Sequence, residues 1–264
     1  GVFFGHGTDN AWDEATALVL GVTGMADDAS NLSAPVRPQD AATIHRLLER
    51  RIEERVPLAH LLGRWWFAGY EFLVTPGVVV PRSPIGEMIR NRFAPWLERA
   101  PDRVVDLCAG SGCIGIATAL TFPEADVHLV EIDPAAAALA RRNVVLHGLG
   151  GHVHVHEGDL FAPLPVGMRF DLIVSNPPYV DARDMAGLPE EYRKEPVTGL
   201  AGGTDGLDVV RRIIDEGVER LNPGGLLVCE VGRSAPALLE AYPSLPFVWP
   251  EFEHGGEGVF VLEG

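Results

Sequence analysis

The stretch Val104-Val105-Asp106-Leu107-Cys108-Ala109-Gly110-Ser111-Gly112 reads as a β-branched strand running directly into a loop of small residues. The apolar residues 113–120 follow with helical character, so the unit is strand, tight turn, helix. Gly110 and Gly112 leave open positions that a side chain would block, which lets the backbone pass close beneath a ligand. The string lacks the third glycine of a dinucleotide fingerprint and the Lys-Ser/Thr pair of a phosphate loop.

Outward from this unit the two patterns alternate. Residues 127–131, 153–156, 171–174, 226–230 and 259–262 read as strands, and 134–147 as a helix with Pro134 in its first turn. Such alternation predicts a doubly wound α/β sheet. Upstream the pattern changes. Trp12, Ala15, Leu18 and Leu20, then Ile44, Leu47, Leu48 and Ile52, predict helices over 11–60. Asp40 is expected to cap the second helix, with Pro35 and Pro38 breaking the gap before it. Residues 64–80 turn strand-like, with Gly69 and Pro76-Gly77 as turn signals and Trp65, Trp66 and Phe67 as hairpin core or as a stacking surface for a target peptide.

Each strand of the α/β part ends in a polar group. Asp106 closes the first, and Glu131-Ile132-Asp133 the second about 20 residues on, where an acid reaches a ribose diol. Glu131 is preferred to Asp133 because it stands at the strand end. Gly158-Asp159-Leu160 follows the third strand, where an acid can meet an adenine amino group. The fourth strand ends in Ser175-Asn176-Pro177-Pro178-Tyr179. Each proline removes a backbone donor and holds the preceding residue extended. The loop thus presents an amide side chain and unsatisfied carbonyls, suited to a planar NH2 group with two N–H donors. Acids at three strand tips without a basic phosphate clamp favour a cofactor lacking phosphates, and adenosyl plus a cationic sulfonium, S-adenosylmethionine, fits.

Composition narrows the function classes. The chain has 264 residues, 47% hydrophobic, enough for one full core and a small second one. Mean hydropathy is +0.11, and no apolar stretch or secretory signal stands out, which favours the cytoplasm and no membrane. The missing initiator Met suggests that the native N-terminus lies upstream. Cys108, Cys113 and Cys229 are odd in number and scattered, as free thiols of a reducing compartment are. The net charge is −16: residues 1–100 carry 12 acidic and 10 basic side chains, residues 101–264 carry 25 and 11. Direct DNA binding is therefore not expected, whereas a basic protein partner is.

Residues 105–112, Glu131, Asp159 and Asn176–Tyr179 resemble the class I methyltransferases that act on amino groups. The chain is most similar to the protein-glutamine N5-methyltransferases, and the resemblance covers nearly its whole length. It implies a seven-stranded doubly wound methyltransferase domain (83–264), a helical N-terminal substrate-recognition domain (1–62) and a linking β-hairpin (63–82). It implies a cofactor site of Asp106, Cys108, Ala109, Gly110, Ser111, Gly112, Glu131, Asp159, Leu160 and Asn176, and S-adenosylhomocysteine as product. Asn176, Pro177, Pro178 and Tyr179 would be the catalytic loop, Tyr179 packing on the substrate amide with a hydroxyl able to orient it. Pro81-Arg82-Ser83-Pro84-Ile85-Gly86-Glu87, with Gly5-His6-Gly7-Thr8-Asp9-Asn10-Ala11-Trp12-Asp13, is similar to the branch modifying the large-subunit ribosomal protein numbered three. Release-factor glutamine methylation is the alternative. A DNA adenine N6-methyltransferase, or an S-adenosylmethionine-binding ribosome-assembly factor without catalysis, stays open on sequence.

Other features take plainer readings. His152, His154 and His156 alternate as the polar face of an edge strand, and no metal is expected there. Arg82 and Glu87 are expected to brace a domain junction. Residues 190–195 are expected to be solvated, with lining of the substrate entrance as the alternative, since they follow the fourth strand tip.

Overall fold

The computed structural model describes residues 1–28, 33–253 and 255–264. The N-terminal part holds α1 (Ala11–Thr23), α2 (Pro38–Glu53) and α3 (Leu58–Leu62). Asn10 caps α1, its side chain accepting from the Trp12 and Asp13 amides. The α2 start differs from expectation. Pro38 opens the helix at a position where a missing N–H costs nothing, and Arg37 occupies the cap. Asp40 instead lies in the first turn and pairs with Arg37, Oδ2 to Nε at 2.6 Å.

A hairpin follows, β1 (Arg64–Phe67) antiparallel to β2 (Tyr70–Leu73). Its two-residue turn has Ala68 at φ +51° and Gly69 at φ +92°, the positive values that match strand twist in tight hairpins. Trp65 and Phe67 are buried, while Trp66, on the opposite face, is 47% exposed. Leu18, Leu47, Leu58, Trp65, Val74 and Val80 share one small core, so helices and hairpin pack together.

The larger sheet contains β3 (Arg103–Leu107), β4 (Asp126–Glu131), β5 (Val153–Glu157), β6 (Phe170–Ser175), β7 (Leu221–Glu230) and β8 (Val259–Glu263). Its order is β5-β4-β3-β6-β7-β8, parallel except for β8. The expected seven strands are six among the described residues. The seventh is reduced to one bridge, where Val248 and Val261 exchange N–H···O bonds of 3.0 and 2.8 Å. Pro246 and Pro250 bracket Val248, and a residue without N–H cannot extend a ladder.

Successive strand residues point to opposite faces, which divides the core in two. Val104, Leu129, Leu172 and Val174 pack with Ile85 and Ile89 of α4 (Ile85–Arg90), Ile116 of α5 (Cys113–Thr121) and Ala140 of α6 (Pro134–Leu146). Val105, Leu107, Val130 and Ile173 pack on the other face with Ile213 and Ile214 of α7 (Asp208–Arg220). Each such buried side chain contributes about 1.5–3 kcal/mol. At the β5 edge, His154 Nε2 stands 3.1 Å from Asp126 Oδ1, and His156 Nε2 3.0 Å from His128 Nδ1.

Candidate active site

The carboxyl ends of β3, β4, β5 and β6 open on a cleft of about 800 Å³. Cys108, Gly110, Glu131, Asp159, Leu160, Asn176, Pro177, Pro178 and Tyr179 all line it. Asp106, Ala109, Ser111 and Gly112 do not reach the wall and lie buried beneath the loop. Asp106 Oδ2 accepts the Gly115 N–H at 2.8 Å, while Oδ1 has no partner among the described residues. Burial pushes its carboxyl up to about 8, the Gly115 N–H opposing and the Glu131 charge adding to the shift. Cys108 takes φ +57°, a left-handed conformation rare for a side-chain-bearing residue. That bend turns the strand end into the glycine loop.

Glu131 is fixed from two sides, Oε2 accepting from Gly110 N–H at 2.7 Å and Oε1 from Asp133 N–H at 2.8 Å. Burial raises its pKa, and these two amides hold it down. Asp133, which also lines the cleft, caps α6 through Oδ1, which accepts from the Ala135 and Ala136 amides. Asp159 is gripped by Arg212 of α7, with NH1–Oδ1 at 3.1 Å and NH2–Oδ2 at 2.8 Å. A carboxylate offers about four lone-pair sites, so both acids keep acceptors free.

At the Asn-Pro-Pro-Tyr loop, Ser175 Oγ donates to the Leu107 carbonyl at 2.7 Å and ties β6 to β3. Asn176 Nδ2 donates to the Arg82 carbonyl at 3.2 Å. A carbonyl cannot donate, so this contact sets the amide with Oδ1 as its open acceptor. Among the described residues no donor reaches the Pro177 carbonyl. The Tyr179 hydroxyl donates to Glu230 Oε1 at 2.6 Å and keeps its oxygen lone pairs as acceptors. Ser83 Oγ donates to the other Glu230 oxygen at 2.6 Å, and burial raises the Glu230 pKa. The Tyr179 ring lies so close over Gly232 that a Cβ there would stand 2.6 Å from Cε2.

Within residues 190–195, Glu190, Arg193 and Lys194 are exposed as expected and Tyr192 lines the cleft, but two acids depart from a solvated reading. Glu191 and Glu195 are only 2% and 4% exposed. Glu191 Oε1 receives Arg51 NH1 at 3.2 Å and the Phe3 N–H at 2.9 Å, joining the N-terminal helices to the segment after the catalytic loop. Arg82 is braced by Glu195 as expected, through two contacts of 2.6 Å. Glu87 accepts the Glu253 N–H at 3.1 Å. Among the described residues Arg82 and Arg212 are the cleft's basic side chains, and both are paired with carboxylates.

Sequence reasoning missed Arg212, Ser83, Glu195 and Glu230. Glu230 ends a strand like the other acids, so the same reading could have found it. Arg212 sits mid-helix with no local signal.

The methyltransferase small domain family model matches residues 92–188. A methyltransferase structure from Pyrococcus furiosus shares the fold, with a TM-score of 0.53 at 18% identity, covering 86% of this chain and 98% of that one. The ribosomal protein uL3 glutamine methyltransferase of Francisella tularensis is 44% identical over 99% of this chain and 84% of its own length. That of Bordetella pertussis is 42% identical over 99% and 89%. With such identity along nearly its whole length, this methyltransferase belongs to the ribosomal protein uL3 glutamine methyltransferase family.

Proposed function

We propose that this protein transfers a methyl group from S-adenosylmethionine to the side-chain amide nitrogen of a glutamine in ribosomal protein uL3, in the cytoplasm. The observation that carries the reading is the pair of open acceptors, Asn176 Oδ1 and the Pro177 carbonyl, at the tip of β6. An amide nitrogen is a poor nucleophile because its lone pair is delocalised into the carbonyl. Asn176 Oδ1 accepts one N–H of the substrate amide and the Pro177 carbonyl the other. The two hold the NH2 plane and favour the positive charge that develops on nitrogen, which stabilises the transition state more than the ground state.

The cleft fits the cofactor. Glu131 and Asp159 retain acceptors for a ribose diol and an adenine amino group, Gly110 allows close backbone approach, and neither basic side chain is free to bind phosphate. Bound there, S-adenosylmethionine supplies an electrophilic methyl on a cationic sulfonium. Tyr179, anchored through Glu230, closes the loop beside the substrate amide. Residues 1–62 serve partner recognition in this reading, and an acidic surface suits a basic ribosomal protein.

The test is transfer from labelled S-adenosylmethionine with purified uL3 and a release factor offered side by side. Label is expected on a glutamine of uL3, and Asn176→Ala is expected to lower kcat by about 10²–10³-fold while cofactor binding persists. Label confined to the release factor, or full activity in the variant, would sink the reading.

A further inference from the structure

We propose that Glu195 is a positioning residue for this reaction: it clamps residues 80–82 so that the Arg82 carbonyl holds the Asn176 amide with its oxygen open to substrate. The inference rests on the functional reading above, and it starts from a shared anchor. Glu195 Oε1 accepts the Val80 N–H at 2.8 Å and Arg82 NH1 at 2.6 Å, and Oε2 accepts Arg82 NH2 at 2.6 Å. Three donors from one short strap therefore converge on one carboxylate, which is 4% exposed. The same strap carries the carbonyl that receives Asn176 Nδ2.

Aromatic rings pack around the clamp. The Arg82 guanidinium lies 5.1 Å from the Tyr192 ring centroid. His6 Nε2 stands 3.4 Å from Glu195 Oε2, its ring 4.5 Å from that of Tyr192. The N-terminal segment therefore packs His6 against the carboxylate that holds the strap. Nothing else among the described residues hydrogen-bonds the Asn176 side chain, so its orientation depends on where the strap sits.

A shift of about 1 Å in a reacting group can cost about 10²-fold in rate. Glu195→Gln is expected to lower kcat by about that factor, with the S-adenosylmethionine Kd unchanged within about twofold, because the cofactor acids lie on other strands. In an Asn176→Ala background the same substitution is expected to add less than about twofold, since the group it positions is gone. A structural role alone would give losses that multiply. Turnover is not the sole readout. The Asn176 side-chain NH2 signal, identified in a ¹⁵N spectrum by its loss in Asn176→Ala, is expected to move in Glu195→Gln. Should Glu195→Gln fail to fold around the unpaired guanidinium, the doubly neutral Arg82→Gln/Glu195→Gln takes its place. An unmoved Asn176 signal, or an unchanged kcat in a folded variant, overturns the proposal. If the unsubstituted protein methylates no glutamine, the functional reading fails on that result, and the NMR signal still decides the clamp.

Discussion

Asp106 sets a carboxyl group against a buried setting. It was readable in the sequence as an acid at a strand tip, but not as a buried one. With 1% exposure and one amide donor, its carboxyl titrates at about 8. The unfolded side chain titrates near about 4, so between those values the folded chain holds the extra proton. The stabilisation is full below the lower value and is lost as pH rises toward the upper one. Tm is therefore expected to fall from about pH 5 to about pH 8 on this account. Asp106→Asn keeps an oxygen for the Gly115 N–H and cannot ionise, so it should flatten that slope in a thermal-melt series. An unchanged slope would place the titration elsewhere.

Among the elements, α5 and α6 hold the glycine loop in place. Gly115 of α5 faces Leu129, whose Cδ2 would stand 2.1 Å from an added Cβ, with Asp106 Cβ at 3.0 Å. Gly115→Ala gains helix propensity but overpacks the helix against β3 and β4, and should cost about 1–3 kcal/mol. A lower urea midpoint at constant slope would register it; a raised midpoint would mean that the helix can shift. Asn143 of α6 accepts the Leu73 N–H at 2.8 Å and donates to the Leu73 and Ser111 carbonyls at 3.2 and 2.9 Å. It links hairpin to glycine loop, and Asn143→Ala should cost about 1–3 kcal/mol by stranding those groups. Equal stability in equilibrium unfolding would remove that link. The strands were legible because short β-branched runs between turn residues carry their own signature. The expected seventh strand is reduced to a single bridge among the described residues, because Pro246 and Pro250 on either side of Val248 withhold the N–H groups a ladder needs.

Across the whole molecule, charge is the dominant global property, with 25 acidic against 11 basic side chains over residues 101–264. Encounter with a basic partner should then be steered, and steering is screened beyond about 10 Å at about 0.1 M salt. Raising salt from about 0.05 to about 0.5 M is expected to lower kcat/KM for uL3 more than kcat. A salt-independent kcat/KM would confine the charge to solubility. Among the described residues no helix is long and apolar enough to cross a membrane.

By itself the sequence determined the α/β alternation, the strand tips and the acids and Asn-Pro-Pro-Tyr loop that those tips carry to the cleft, because periodicity, glycine turns and prolines act on neighbours in the chain. The tertiary structure decided who holds whom. Tyr179 meets Glu230 51 positions away, Asp159 meets Arg212 across 53, and Arg82 meets Glu195 across 113. Such pairs leave no local pattern, since they form only when docked elements bring residues far apart in the chain together; where a partner is buried, as Glu230 is beside Tyr179, it must find a hydrogen bond or a countercharge.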